Sequence, residues 1–253
     1  MTVKEFYLKL SERIPESLSE EWDNDGIMCS RDLSSEVGRV LVTLDVTEQV
    51  VDYAINRDFD LIISHHPLIF KPISSLTEEN HVANKLIKLM RANISVFSFH
   101  TRLDKVEGGV NDILADILGL KNVVPFGEGG LGRVGELSEE CDLDDFADSV
   151  KLQLAADGIR VADACNSVKR VAVVGGEGKD FISDAIAAGA DTYVSGNLSY
   201  HSMVDASEIG INLIEAGHYF TEFPVTEFLE QLARDIDGET YVEVVESNMI
   251  RLV

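Results

Sequence analysis

The chain has 253 residues, with 45 Asp and Glu against 21 Lys and Arg, a net charge of −24, and 45% hydrophobic residues. That is enough chain for one large or two medium domains with cores of their own. The negative field repels phosphate backbones and makes nucleic acid an unfavourable partner, and no run approaches the ~18 apolar residues of a membrane span.

Met1 to Glu5 opens an amphipathic helix and has none of the apolar core of a secretory leader. Cys29, Cys141 and Cys165 are isolated, with no C-x-x-C pair. A sparse, odd set of thiols suits a reducing compartment, so the expected location is the cytoplasm. Arg39 to Leu44 then reads as a buried strand, followed by a helical run through Ala54-Ile55 and a second strand, Asp60 to Ser64, that ends in His65-His66-Pro67. Asn93 to Phe99 is a further apolar strand running into His100-x-x-x-Asp104, and Gly109 to Leu118 a helix. Gly127 to Gly132, with four glycines in six residues, reads as a linker, and Asp142 to Asp157 as an ordinary amphipathic packing helix.

Residues 170–197 repeat 39–66 without a gap, and the identities fall on Arg39/Arg170, Val40/Val171, Val42/Val173, Ala54/Ala185, Ile55/Ile186, Asp60/Asp191 and Ser64/Ser195. Each copy reads strand, helix, strand, with short continuous apolar strands of the kind buried on both faces of a parallel sheet. The parallel continues downstream. Ile211 to Gly217 is an apolar strand that runs into His218-x-x-x-Glu222, as Asn93 to Phe99 runs into His100-x-x-x-Asp104, and a helix from Pro224 to Ile236 follows. The expected fold is therefore α/β, with two related α/β domains of mainly parallel central strands, 1–126 and 127–253.

Four of the six histidines lie in these strand-end segments. In parallel α/β sheets ligands gather beyond the carboxyl ends of the strands, and imidazole with carboxylate is the donor set of a hydrolytic divalent-metal site. Counting gives His65, His66, Asp104, His218 and Glu222 as metal ligands. Five are generous for one catalytic ion and sparse for two. Two ions ~3.5–4 Å apart, bridged by a carboxylate and by water or hydroxide as nucleophile, balance the count. Asp104 or Glu222 is the bridging carboxylate. Zn, Fe and Mn all suit such donors. His100 fits a catalytic or supporting place beside Asp104. His201 reads equally as a general acid and as a surface residue at a helix start. Gly175-Gly176-Glu177-Gly178-Lys179 lacks the first glycine of a P-loop, with Val173 in its place, and reads as a strand-to-helix turn.

On these residues the chain resembles the NIF-three-like, or YbgI-like, dinuclear-metal family, known as GTP cyclohydrolase I type 2 homologues. The resemblance spans the whole chain and is carried by Glu21-Trp22-Asp23-Asn24, Leu44-Asp45-Val46-Thr47, Ser64 to Phe70, His100-Thr101-x-x-Asp104, Gly108 to Asp112, Tyr200-His201 and Gly217-His218-Tyr219-x-x-Glu222. It implies a metal site in the cleft between two domains, held by the same five residues, and a toroidal homohexamer. Asn197 departs from the pattern, which commonly has Asp after Gly, and this puts in question a carboxylate near His201.

The expected function is a metal-dependent hydrolase acting on a nucleotide-like small molecule, by ring opening of a cyclic amidine or by cleavage of a phosphoester, because a two-metal clamp stabilises developing charge in either case. The alternative is a metal-binding regulatory or scaffolding ring without turnover. A nuclease ring would need a basic channel, for which the sequence has few candidates.

Overall fold

The computed structural model describes residues 1–253, except for the side chain of Ser207. In chain order, residues 1–106 form α1 (Val3–Arg13), β1 (Gly26–Cys29), β2 (Arg39–Thr43), α2 (Glu48–Asn56), β3 (Leu61–Ser64), α3 (His81–Ala92), β4 (Ser95–Ser98) and α4 (Thr101–Lys105). Next come α5 (Val110–Ile117), β5 (Lys121–Phe126), β6 (Gly132–Cys141), α6 (Leu143–Gln153), β7 (Arg160–Ala162) and β8 (Val168–Glu177). They are followed by α7 (Ile182–Ala187), β9 (Thr192–Asn197), α8 (Tyr200–Ile209), β10 (Asn212–Glu215) and α9 (His218–Glu222), and the chain closes with α10 (Val225–Ile236) and β11 (Tyr241–Val244). None of the described helices is long and apolar enough to cross a membrane.

The chain divides into two compact units, residues 1–106 with 225–249, and 107–224 with 250–253. This partition differs from one at 126/127 at both ends. Residues 225–249 group with the first unit because β11 pairs in parallel with β2, Tyr241 opposite Arg39. Residues 107–126 group with the second because β5 and β6 form an antiparallel hairpin, Phe126 opposite Gly132. Gly127 to Gly132 is the turn of that hairpin, not a connector between units. Gly127 has φ +78°, and a Cβ at Gly132 would run into the Phe126 ring.

The first unit is built on a five-stranded sheet of order β1-β4-β3-β2-β11, in which only β1 runs antiparallel to its neighbour. Leu41, Ile62 and Val96 point to one face and pack against Val50, Val51 and Ala54 of α2 and Leu86 and Leu89 of α3. The alternate residues Val40, Val42, Ile63 and Phe97 are equally buried, as are Phe6 and Leu10 of α1 and Leu229 and Leu232 of α10. Strands covered on both faces explain the unbroken apolar runs in the sequence. Helix α1 starts with a capping box, since Thr2 and Glu5 each accept from the other's backbone N–H.

The second unit carries a six-stranded mixed sheet, β5-β6-β8-β9-β10-β7, with β8, β9 and β10 parallel. Val171, Val173, Val194 and Ile214 face a cluster with α5 and α6, and Ala172, Val174, Tyr193 and Leu213 face one with Ile182 and Ala185 of α7 and Ala206 of α8.

The internal repeat has a physical basis. In the first copy the Asp60 carboxylate accepts from the backbone N–H of Gly38 and Arg39, at 2.8 and 2.9 Å. In the second, Asp191 accepts from Lys169 and Arg170, at 3.1 and 2.7 Å. Each aspartate at the head of one strand ties down the head of its parallel neighbour, β2 in one unit and β8 in the other.

Candidate metal centre

In the first unit, β2, β3 and β4 run parallel and in register, with Thr43 opposite Ser64 and Ser64 opposite Ser98. Their carboxyl ends therefore coincide, and the residues just beyond them meet: Asp45 after β2, His65 and His66 after β3, and His100 and Asp104 after β4. Hydrogen bonds prolong the ladder past the strands, His66 N donating to the Leu44 carbonyl at 3.0 Å and Phe99 N to that of Ser64 at 2.9 Å.

Ring centroids are 4.9 Å apart for His65 and His66, 5.4 Å for His65 and His100, and 5.8 Å for His66 and His100. One nitrogen from each ring lies within 4.8 Å of the others, and the three form a group able to hold a metal ion. His65 Nε2 is 3.7 Å from Asp104 Oδ1. That is long for a hydrogen bond and is a separation that two donors with arms of ~2.0–2.2 Å on one ion can take up.

The orientation of each ring is settled by its other nitrogen. His65 Nδ1 lies 2.9 Å from the Phe99 carbonyl, His66 Nδ1 2.7 Å from Asp45 Oδ1, and His100 Nδ1 2.8 Å from Asp23 Oδ1. All three partners are acceptors, so each ring donates from Nδ1, and Nε2 is the nitrogen suited to a metal ion. An imidazole held by an acceptor on its far side is the arrangement that orients metal-bound histidines and raises their basicity.

Asp23 is held in turn. Its side chain is fully buried and accepts from Thr101 N at 3.0 Å and Thr101 Oγ1 at 2.7 Å. Burial by itself pushes its pKa up. The hydrogen bonds from His100 and Thr101 outweigh that and bring the carboxyl well below the ordinary Asp value. The start of α4 is also fixed by Arg102, fully buried, whose Nε donates to Asp25 Oδ2 at 2.9 Å over the ring of Phe99.

The second unit holds the other two predicted ligands. His218 and Glu222 are one turn apart on α9, which follows β10 as α4 follows β4. His218 Nε2 is 3.0 Å from Glu222 Oε2, and His218 Nδ1 is 2.8 Å from Asn197 Oδ1. Glu222 is buried and lies along the end of β8, where the backbone has no room for side chains. A Cβ at Gly176 (φ +63°) would collide with Glu222 Oε1 and reach 3.2 Å from His218 Nε2, and one at Gly175 would press on Glu222 Cγ at 3.3 Å. The Gly175-Gly176 pair is thus a cradle for Glu222, not a phosphate loop. Gly196 is similarly confined, since a Cβ there would come within 2.6 Å of Thr221 Oγ1.

The fold thus brings His65, His66, His100 and Asp104 together in one unit, and His218 with Glu222 in the other. His201 stands exposed on the first turn of α8 with its ring against Tyr200. Asn197 bears on His218. Sequence reasoning assigned no role to the acceptors behind the histidines, Asp23, Asp45 and Asn197, nor to buried Arg102. Asp23 and Asp45 do lie within the motifs that carry the resemblance, Asp23 in a turn and Asp45 just past the end of β2.

The donor set of neutral imidazole and carboxylate, with no thiolate in it, is that of Zn, Mn or non-haem Fe. The chain is similar to known proteins over nearly its whole length. The model of Duf34/NIF3 (NGG1p interacting factor 3) matches residues 1–251. The GTP cyclohydrolase 1 type 2 homolog of Clostridium perfringens is 36% identical over 218 residues, covering 83% of each chain. That of Methanocaldococcus jannaschii is 33% identical over 242 residues, covering 94% of this chain and 98% of its own. Among solved structures, Staphylococcus aureus protein SA1388 superposes with a TM-score of 0.90 at 30% identity, over 100% of this chain and 99% of the other. Reduced HcgD from Methanocaldococcus jannaschii superposes with a TM-score of 0.85 at 29% identity, over 96% and 97%. The chain belongs to the Duf34/NIF3 family.

Proposed function

We propose that this chain is a metal-dependent hydrolase of a nucleotide-like small molecule, with His65, His66, Asp104, His218 and Glu222 as ligands of two divalent ions. The observation that carries the reading is shared by four histidines in two units. His65, His66, His100 and His218 each give Nδ1 to a fixed acceptor. A hydrogen bond from the far ring nitrogen is how a metal-binding histidine is oriented. Five such donors balance two ions.

When bound, such ions would lower the pKa of water and stabilise charge developing on the substrate. This chain's residues would hold the donors neutral and oriented. Asp45 and the Phe99 carbonyl keep the Nε2 lone pairs of His66 and His65 directed to the ligand side. His100, whose Nδ1 proton is secured by ionised Asp23, would offer Nε2 to a substrate hydrogen-bond donor or receive a proton there. His201 would act as general acid. The Duf34/NIF3 resemblance supports a cytoplasmic homohexamer as the working assembly, and the net charge of −24 supports small molecules over nucleic acid as its substrates.

The test is elemental analysis of protein purified without chelator or metal affinity tags, then a screen of nucleotides and phosphoesters with Mn, Fe or Zn. Near two equivalents of metal per chain and turnover abolished by His65→Ala are expected. Turnover indifferent to that substitution overturns the assignment. Filled metal sites with no turnover across a broad panel would favour the scaffold reading.

A further inference from the structure

The geometry points to Trp22 and Phe70 as a grip for a flat heteroaromatic ring, the base of the molecule on which the metal centre acts. This rests on the function proposed above and adds how substrate would be held. Three rings meet at the edge of the histidine cluster. Trp22 and Phe70 have centroids 6.2 Å apart at an interplanar angle of 81°. Trp22 and His100 are 6.3 Å apart at 81°, and Phe70 and His100 6.0 Å apart at 83°. The three planes are thus mutually close to perpendicular, each pair meeting edge to face. A flat ring entering such a corner stacks on one face and meets the edges of the other two, the two geometries that aromatic quadrupoles favour.

The corner is exposed yet firmly held. Trp22 is 64% and Phe70 47% exposed, while both loops are pinned beside them. Asn24 Nδ2 donates to the Ile69 carbonyl, and Asp23 is locked to His100 and Thr101. The largest aromatic side chain therefore stays in water between two anchored neighbours. Its third wall, His100, belongs to the group able to hold a metal, which argues for a small ligand that reaches the centre. Stacking on an exposed indole is tolerant of ring identity, so the class recognised is the planar heterocycle and not one base.

Trp22 is the only tryptophan in the chain, beside six tyrosines, so fluorescence excited at the red edge of the indole band, beyond tyrosine absorption, reports on it alone. Metal-loaded protein would be titrated with adenosine, guanosine and uridine monophosphates and with ribose 5-phosphate. Saturable quenching by the nucleotides and none by ribose 5-phosphate is expected. Phe70→Leu, which keeps the probe, should weaken nucleotide binding several-fold. Trp22→Leu, followed by calorimetry, should weaken it about tenfold, the loss of one base–aromatic stack, with metal content unchanged. No saturable quenching by any nucleotide, or equal affinity in the two variants and the wild type, overturns the grip. Metal analysis of the same samples separates the two readings. Quenching by bases in a protein that retains no metal removes the metal centre and keeps the grip, and metal-filled protein blind to bases does the reverse.

Discussion

Nδ1 of His218 lies 2.8 Å from Oδ1 of Asn197, so Asn197 acts through an imidazole in its own unit. An amide oxygen accepts from that ring nitrogen as a carboxylate would, without adding charge behind it. Asn197→Asp should raise the basicity of His218 and tighten metal binding. Asn197→Leu, which has no acceptor, should weaken it by about 10–100-fold, the usual loss when such a partner is removed. Competition against a chelator of known affinity measures both. Equal affinities in the three proteins would show that His218 is not a ligand.

Asp45 stands behind His66 as Asn197 stands behind His218, with Oδ1 2.7 Å from Nδ1 and Oδ2 accepting from Ser247 Oγ at 3.2 Å. Asp45→Ala should cost a similar ~10–100-fold in metal affinity, and Asp45→Asn less, because an acceptor remains. Asp45 is half-exposed, so unfolding of the metal-free protein should move little. A large drop in its melting temperature would instead mean that Asp45 is there for the fold.

Gly176 and Gly210 separate backbone strain from crowding. Both have positive φ, +63° and +78°, but a Cβ at Gly176 meets Glu222 and His218 whereas one at Gly210 has nothing within 4 Å. Gly210→Ala should lose only the ~1–2 kcal/mol of a left-handed alanine and keep its metal. Gly176→Ala should lose more stability and, by displacing Glu222, release metal. Thermal denaturation with metal analysis of the same samples checks the pair.

Asp23 sets a pH dependence. Its carboxyl titrates below the ordinary Asp value in the folded chain, so folding favours the ionised form. The stability this contributes is full above the unfolded value of ~3.9 and fades as pH falls below it. In urea unfolding of metal-free protein, Asp23→Asn should be less stable than wild type at pH 7 by about 1–3 kcal/mol, since Thr101 N–H then loses a charged acceptor. The gap should narrow below about pH 4. A gap constant across that range would contradict the hydrogen-bonded, ionised state.

Much of the architecture was legible in the chain. Continuous apolar runs such as Leu61 to Ile63, bounded by polar turns, specify strands covered on both faces, and the repeated Arg39/Arg170 and Asp60/Asp191 mark where parallel strands start together. The candidate donors were legible for the same local reason: a histidine or carboxylate just past a buried strand is at the end of the sheet where ligands gather. What each donor leans on was not legible. The residues facing the Nδ1 atoms of His66, His100 and His218 are 21, 77 and 21 positions away, and only the register of parallel strands and the course of the loops brings them together. β11 belongs with the same lesson. Four residues near the end of the chain join the first sheet beside β2 because an uncovered strand edge lay there to be paired, and no local pattern in Tyr241 to Val244 announces that partner. Residue type and local periodicity decided which groups could serve a metal. Tertiary pairing decided their tautomers, their burial and the exposed aromatic corner beside them, because those depend on distances between segments far apart in the chain.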